Sequence, residues 1–186
     1  MARLNSSTPF AEGRTRRLLR QVWCRWTSFH LLRCGSPWPR LYAVIGSTAL
    51  HLHQAITRNT TPTTDLAMRA AAVVTAHTAL RDAFLLLGVG REPIAGRTWT
   101  RIAAHHRGRT RAELLTMAAL AYYCAEDTVR AGLALGHAAV ATEDDDSALP
   151  RLAEIIYTAL DAGMPPSRIR SVIPDRNAAP IPGTTL

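Results

Sequence analysis

Residues 66–87, LAMRAAAVVTAHTALRDAFLLL, contain an apolar seam that decides the fold class. The seam recurs with alternating steps of four and three residues, the spacing of one face of an α-helix. It predicts one long packed helix, with His77 inside as a neutral core histidine that hydrogen-bonds to a neighbour. Gly88 ends this helix, and a loop through Pro93 precedes a short helix around Trp99. The seam consists of Leu66, Ala70, Val73, His77, Leu80, Phe84 and Leu87.

Strand signals are scarce in the rest of the chain. The sequence has eight valines and nine isoleucines, mostly at helical spacings, and neither Asn-Gly nor Asp-Gly, the common hairpin turns, occurs. Alanine supplies 31 of the 186 residues, so the helices are expected to pack through small side chains. We therefore predict an all-α fold, a small antiparallel bundle of four or five helices from Thr64 to Val172.

Residues 110–140 predict a helical hairpin. Thr110 and Glu113 form the Thr-x-x-Glu pattern of a capping box, which marks a helix start. The acidic pair Glu126 and Asp127 makes the turn, and small residues at the crossing, two glycines among them, allow close backbone approach. The predicted inward faces contain Leu114, Leu115, Ala118, Ala121, Tyr122 and Ala125 on the first helix and Val129, Leu133, Gly136 and Val140 on the second.

An acidic loop at residues 143–146 separates this hairpin from the last helices. Calcium loops alternate their ligands and include a glycine, so the four consecutive acids favour a solvated loop. Ser147 caps the next helix, which Gly163 and Pro165 end, and a last helical turn runs to Val172.

The N-terminal third of the chain carries all of the excess positive charge. Residues 1–60 hold nine arginines and one acid, Glu12, for a net charge of +8, whereas residues 61–186 hold thirteen arginines and thirteen acids. The polar segment 58–64 separates the two parts, and any attraction to phosphate or anionic lipid should arise from the first. The predicted organisation is a basic arm over residues 1–62, a helical domain over residues 63–173 and a disordered tail over residues 174–186.

Residues 14–29 of the arm predict a basic amphipathic helix, with arginines on one side and leucines and aromatics on the other. Three interpretations are open: an interfacial membrane helix with arginines among the phosphates, a nucleic-acid arm that releases counterions, and a surface helix docked on the body. In the first two interpretations, residues 14–33 are the segment that contacts nucleic acid or anionic lipid. A weaker helix follows over residues 42–57. The candidate binding residues of the arm are Arg14, Arg16, Arg17, Arg20, Trp23, Arg25 and Trp26.

Motifs for catalysis, metals and cofactors are missing from the sequence. Cys24, Cys34 and Cys124 form no Cys-x-x-Cys pair, so we expect reduced thiols in a cytoplasmic protein. Neither Gly-x-Ser-x-Gly nor His-Glu-x-x-His occurs. No run reaches the ~18 apolar residues of a membrane span. We therefore expect a protein that is not an enzyme, with no cofactor, no metal and no transmembrane segment.

Residues 114–169 resemble the C-terminal part of an actinobacterial family of unknown function. The most specific match is LDAGMPP at residues 160–166, together with an alanine-rich helix that ends in Tyr122 and Tyr123. The family usually has Gly-Asp in the hairpin turn, a tryptophan at the two tyrosines and an N-terminal α/β half without a counterpart in residues 1–60, so the chain looks like a shortened member. The resemblance implies a fold and no chemistry. The hairpin is also similar to a tetratricopeptide-type repeat, without a second copy at the ~34-residue period.

The function predicted from these patterns is a non-enzymatic helical scaffold or protein-interaction module with an unidentified protein partner. Trp99, Tyr122 and Tyr123 are the candidate binding residues of the body, because aromatics near helix ends often anchor interfaces. Core packing is the alternative for these three side chains. The alternative function is binding of nucleic acid or an anionic membrane through the arginines of the arm.

Overall fold

The computed structural model describes residues 39–143 and 145–172. Within these ranges the backbone forms eight α-helices and no strand, which confirms the all-α prediction. The predicted basic helix at residues 14–29 and the predicted tail at residues 174–186 lie outside the described residues. The helices are α1 (Pro39–Arg58), α2 (Thr64–Ala76), α3 (Thr78–Leu85), α4 (Glu92–Ala103), α5 (Gly108–Cys124), α6 (Thr128–Glu143), α7 (Arg151–Asp161) and α8 (Pro166–Val172), with a 3-10 turn (Leu86–Gly88) before α4.

Helix α1 belongs to the same hydrophobic core as the helices that follow it. Ile45, Ala49, Leu52 and Ile56 are buried in one cluster with residues of α2, α4 and α5. This helix is longer than the helix expected over residues 42–57, because it begins at Pro39, and the fixed φ of proline suits the first turn of a helix. The core therefore extends across the boundary that the sequence suggested at residue 62.

The prediction of one long helix over residues 66–87 is wrong, because the helix is interrupted at His77. The backbone of His77 is extended, with φ −160° and ψ 139°, and the backbone N–H of Ala79 donates to its Nδ1 at 3.1 Å. The imidazole thus caps the start of α3. His77 is exposed, so the prediction of a core histidine is also wrong. This break, and the last helical turn counted as the separate helix α8, give seven helices after residue 62 instead of four or five.

The capping box predicted at Thr110 is absent, and the cap of α5 comes from the acidic loop instead. Helix α5 begins at Gly108, where φ is +55°, and the backbone N–H of Arg109 donates to Asp145 Oδ2 at 2.8 Å. The hydroxyl of Ser147 and then the amide of Arg109 hold the pKa of Asp145 below its ordinary value. Glu113 faces arginine side chains, so it does not reach back to the helix start.

Helix α5 is the centre of the fold. Every residue from Leu114 to Cys124 is buried, and the helix makes its most extensive contacts with α6 and then with α4. Such complete burial needs small side chains where helices cross closely. At one such crossing, a Cβ added at Gly96 of α4 would lie 2.6 Å from Cε1 of Tyr122.

Candidate functional site

The structure buries the three aromatic residues that the sequence placed on a binding surface of the body. Trp99 and Tyr123 are 1% exposed and Tyr122 is 6% exposed. Helices α4 and α6 cover α5 from two sides, which leaves these rings no access to a macromolecular partner. They are therefore core residues rather than exposed anchors, and Trp99 also faces a cavity described below.

Both tyrosine hydroxyls contact neighbouring segments of the fold. The hydroxyl of Tyr122 lies 3.5 Å from Oγ1 of Thr100 on α4, and the hydroxyl of Tyr123 donates to the carbonyl of Met164 after α7. Burial, and then the neighbouring Cys124, raise the pKa of Tyr123, so this phenol stays protonated as a donor. These contacts position helices.

Seven of the candidate binding residues belong to the arm. Arg14, Arg16, Arg17, Arg20, Trp23, Arg25 and Trp26 all lie outside the described residues. Their role as a binding surface for nucleic acid or lipid stays a prediction.

Helix α6 exposes a row of apolar side chains along one side. Val129 is 73% exposed, Leu133 is 61% exposed and Val140 is 55% exposed. Gly132 and Gly136 lie between them, and a Cβ added at either glycine would meet no atom within 4 Å. These five residues are here called the α6 outer face, and together with Thr128 and His137 they line a shallow groove.

The prediction that Val129, Leu133, Gly136 and Val140 face inward is wrong. The buried side of α6 instead contains small residues and one leucine, which fit closely against α5. The sequence carries a signal for this rival stripe, because alanines also recur at steps of three and four residues. The buried side consists of Ala131, Ala134, Leu135, Ala138, Ala141 and Thr142.

A cavity of about 720 Å³ opens beside α5 and is bounded by α3, α4, α7 and α8. Its walls are mostly apolar and include Trp99, Leu120 and Ile156, all buried, whereas its mouth carries charged side chains. Five helices and a 3-10 turn contribute to it. No local sequence pattern could have indicated this cavity, because its residues come together only through tertiary packing.

Cys124 lies in the wall of this cavity and forms no disulfide. Burial raises the pKa of its thiol, and the nearby Arg170 opposes that effect only in part. Since the thiolate is the reactive form, the thiol is a poor nucleophile at neutral pH. The guanidinium of Arg170 donates to the carbonyl of Cys124, which ties α8 to the end of α5.

Charged side chains near the start of α5 form a small cluster. Glu113 lies 3.7 Å from Arg81 and 3.7 Å from Arg109, and Arg81 also contacts Asp82 at 2.9 Å. In the described ranges, no three His, Cys, Asp or Glu side chains converge as ligands of a metal ion. None of the helices that the structure describes is both long and apolar enough to cross a membrane.

Comparisons with known proteins bear on the family of the chain. No curated protein and no solved structure shows significant similarity to the chain. One family model, described as a domain of unknown function (DUF4192), matches residues 33–167. The match begins before α1 and reaches the start of α8, so it spans nearly all of the helical core. The chain therefore belongs to the DUF4192 family.

Proposed function

We propose that this domain is a non-enzymatic protein-interaction module, and that its contact surface is the α6 outer face. The observation that carries the proposal is the exposure of Val129, Leu133 and Val140 around two open glycines. Glycines on a helix surface allow a second helix to approach closely, and the flanking apolar side chains lose contact with water on docking. The similarity to a tetratricopeptide-type repeat that the sequence predicts for this hairpin favours the same role.

The partner we propose is α6 of a second copy of this chain. The spacing of residues on the α6 outer face is the same in both directions along the helix. Val129 lies four residues before Leu133, and Val140 lies four residues after Gly136. In an antiparallel pair with two-fold symmetry, Val129 faces the other copy's Val140, and Leu133 enters the gap above the other copy's Gly136. Each contact then occurs twice, as an isologous interface requires.

The proposed interface is small. A contact over about three helical turns buries less than the ~1,200 Å² that a standard stable interface buries. The association should therefore be weak and should depend on chain concentration. The proposal places the chain in the cytoplasm, as its cysteine content predicts.

Sedimentation equilibrium of the full chain across a wide concentration range tests this proposal. We expect a monomer–dimer equilibrium, and we expect Leu133→Asp to weaken it at least tenfold because a carboxylate loses hydration in the apolar contact. Met68→Asp on α2, where Met68 is 52% exposed, is the matched control and should leave the equilibrium unchanged. A wild-type chain that stays monomeric at every concentration would contradict the proposal, and so would equal effects of the two variants.

The alternative function rests on the net charge of +8 in residues 1–60. If the arginines of the arm bind nucleic acid or anionic vesicles, the affinity should fall steeply with salt concentration. Leu133→Asp should leave that binding unchanged, since α6 takes no part in it. Binding that is lost in Leu133→Asp would place the macromolecular contact on α6 instead.

A further inference from the structure

The cavity beside α5 has the size and the wall chemistry of a small-molecule site. Its volume of about 720 Å³ falls within the ~300–1,000 Å³ that ligand pockets usually occupy. Protein interiors are otherwise packed to the density of organic crystals, so an opening of this size is not an ordinary packing void. The apolar walls include Leu85, Trp99, Leu120, Leu152, Ile156 and Ile169.

The mouth of the cavity has a positive balance of charge. Arg81, Arg168 and Arg170 line it together with two acids, Asp82 and Glu92. Arg81 and Asp82 pair with each other at 2.9 Å. Outside that pair, Arg168 and Arg170 stand against one carboxylate, Glu92, which accepts from the backbone N–H of Gly90 at 3.1 Å. An anionic group that enters the mouth therefore meets more guanidinium than carboxylate charge.

Arg170 is the side chain best placed to hold such an anion. One of its N–H groups donates to the carbonyl of Cys124, and this contact positions the guanidinium beside the cavity wall. A guanidinium has five N–H donors, and among the described residues Cys124 is the hydrogen-bond partner of Arg170, so further donors remain for a ligand. Paired donors of this kind suit a carboxylate.

We propose that this cavity binds an amphiphile with an apolar body and one terminal carboxylate. The apolar body lies between α4, α5 and α7, where it removes the walls from water. The carboxylate lies at the mouth and accepts hydrogen bonds from Arg170. This site is separate from the α6 outer face, since no residue of α6 lines the cavity.

Titration calorimetry of the full chain with decanoate, and with decanol as the uncharged analogue, tests the proposal. Decanoate should bind, and Arg170→Gln should weaken decanoate about tenfold while decanol is unchanged, because only the charge-assisted hydrogen bonds are lost. Arg151→Gln, an exposed arginine of α7 that does not line the cavity, is the control and should have no effect. Equal losses for both ligands in Arg170→Gln would overturn the role of the carboxylate.

A second pair of variants tests whether the apolar body lies in the cavity. Ile155 and Tyr157 are both exposed on α7, at 52% and 63%, but only Ile155 lines the cavity. Ile155→Asp should weaken both ligands at least tenfold, because it puts a carboxylate against the apolar chain, whereas Tyr157→Asp should change neither. Failure of the wild-type chain to bind either ligand, or equal effects of the two variants, would overturn the proposal.

Discussion

Helices α5 and α6 are both rich in alanine, yet they bury different shares of their surface. Helix α5 is buried at every position from Leu114 to Cys124, whereas α6 buries a stripe of alanines and exposes Val129, Leu133 and Val140. The two helices also make the most extensive helix contact in the described part of the chain. The close fit between small side chains, rather than the size of the apolar side chains, therefore determines which side of α6 faces inward.

The largest effect that separates the two helices should come from truncating one side chain on each. Met117 on α5 is 0% exposed, so Met117→Ala should lower the free energy of unfolding by about 2–5 kcal/mol. Leu133 on α6 is 61% exposed, and Leu133→Ala should change it by less than about 0.5 kcal/mol. Urea unfolding at a concentration where the chain is monomeric measures both. A loss above about 2 kcal/mol in Leu133→Ala would mean that α6 buries this residue in solution.

Two glycine-to-alanine substitutions should have opposite signs. An alanine Cβ at position 96 would lie 2.6 Å from Cε1 of the Tyr122 ring, so Gly96→Ala should destabilise the fold by about 1–3 kcal/mol through overpacking. At Gly136 the same Cβ would meet no atom within 4 Å, so Gly136→Ala should stabilise the fold by about 0.5–1 kcal/mol through helix propensity. Thermal unfolding of both variants checks this, and changes of the same sign would refute the difference between the two surroundings.

The smallest expected effect lies in the turn that joins the two helices. Glu126 has φ of 65°, in the left-handed region that favours glycine, and it ends α5 as Gly163, with φ of 60°, ends α7. Glu126→Gly should relieve that conformation and stabilise the fold by about 0.5 kcal/mol after the entropy cost of glycine. Glu154→Gly inside α7 is the matched control, and it should destabilise by about 1 kcal/mol. Denaturant midpoints of the two variants moving in the same direction would contradict this reasoning.

The sequence predicted the fold class and the end of α7, because those depend on local chemistry. The predicted cap at Ser147 is wrong, because α7 begins at Arg151 after Pro150. The apolar seam after residue 64 does form buried helix faces, and Gly163 does end α7, with the backbone N–H groups of Gly163 and Met164 bonded to the last turn. The turn predicted at Glu126 and Asp127 also forms, with a left-handed backbone at Glu126. Features of this kind involve residues that are close along the chain.

The features that the sequence did not predict depend on contacts between distant segments. Asp145 displaces the local capping box by reaching the start of α5 from a loop 36 residues away. Helical spacing identified the apolar row on α6, but spacing alone cannot tell which of two stripes a neighbouring helix will cover. Whether Trp99 is exposed or buried also depends on the packing of α4 against α5. The residues next to Trp99 in the sequence carry no information about that contact.

Disulfide trapping is the most direct test of the claim that the α6 outer face is a contact surface. Val129 and Val140 are eleven residues apart on one helix, about 16 Å, so they cannot be bridged within one copy, where a disulfide needs Cα atoms within about 7 Å. In full chains with Cys24→Ser and Cys34→Ser, a mixture of Val129→Cys and Val140→Cys should oxidise to a covalent dimer that joins the two different chains. Two results would contradict the account. One is absence of that dimer, and the other is that two identical chains form as much covalent dimer as two different chains.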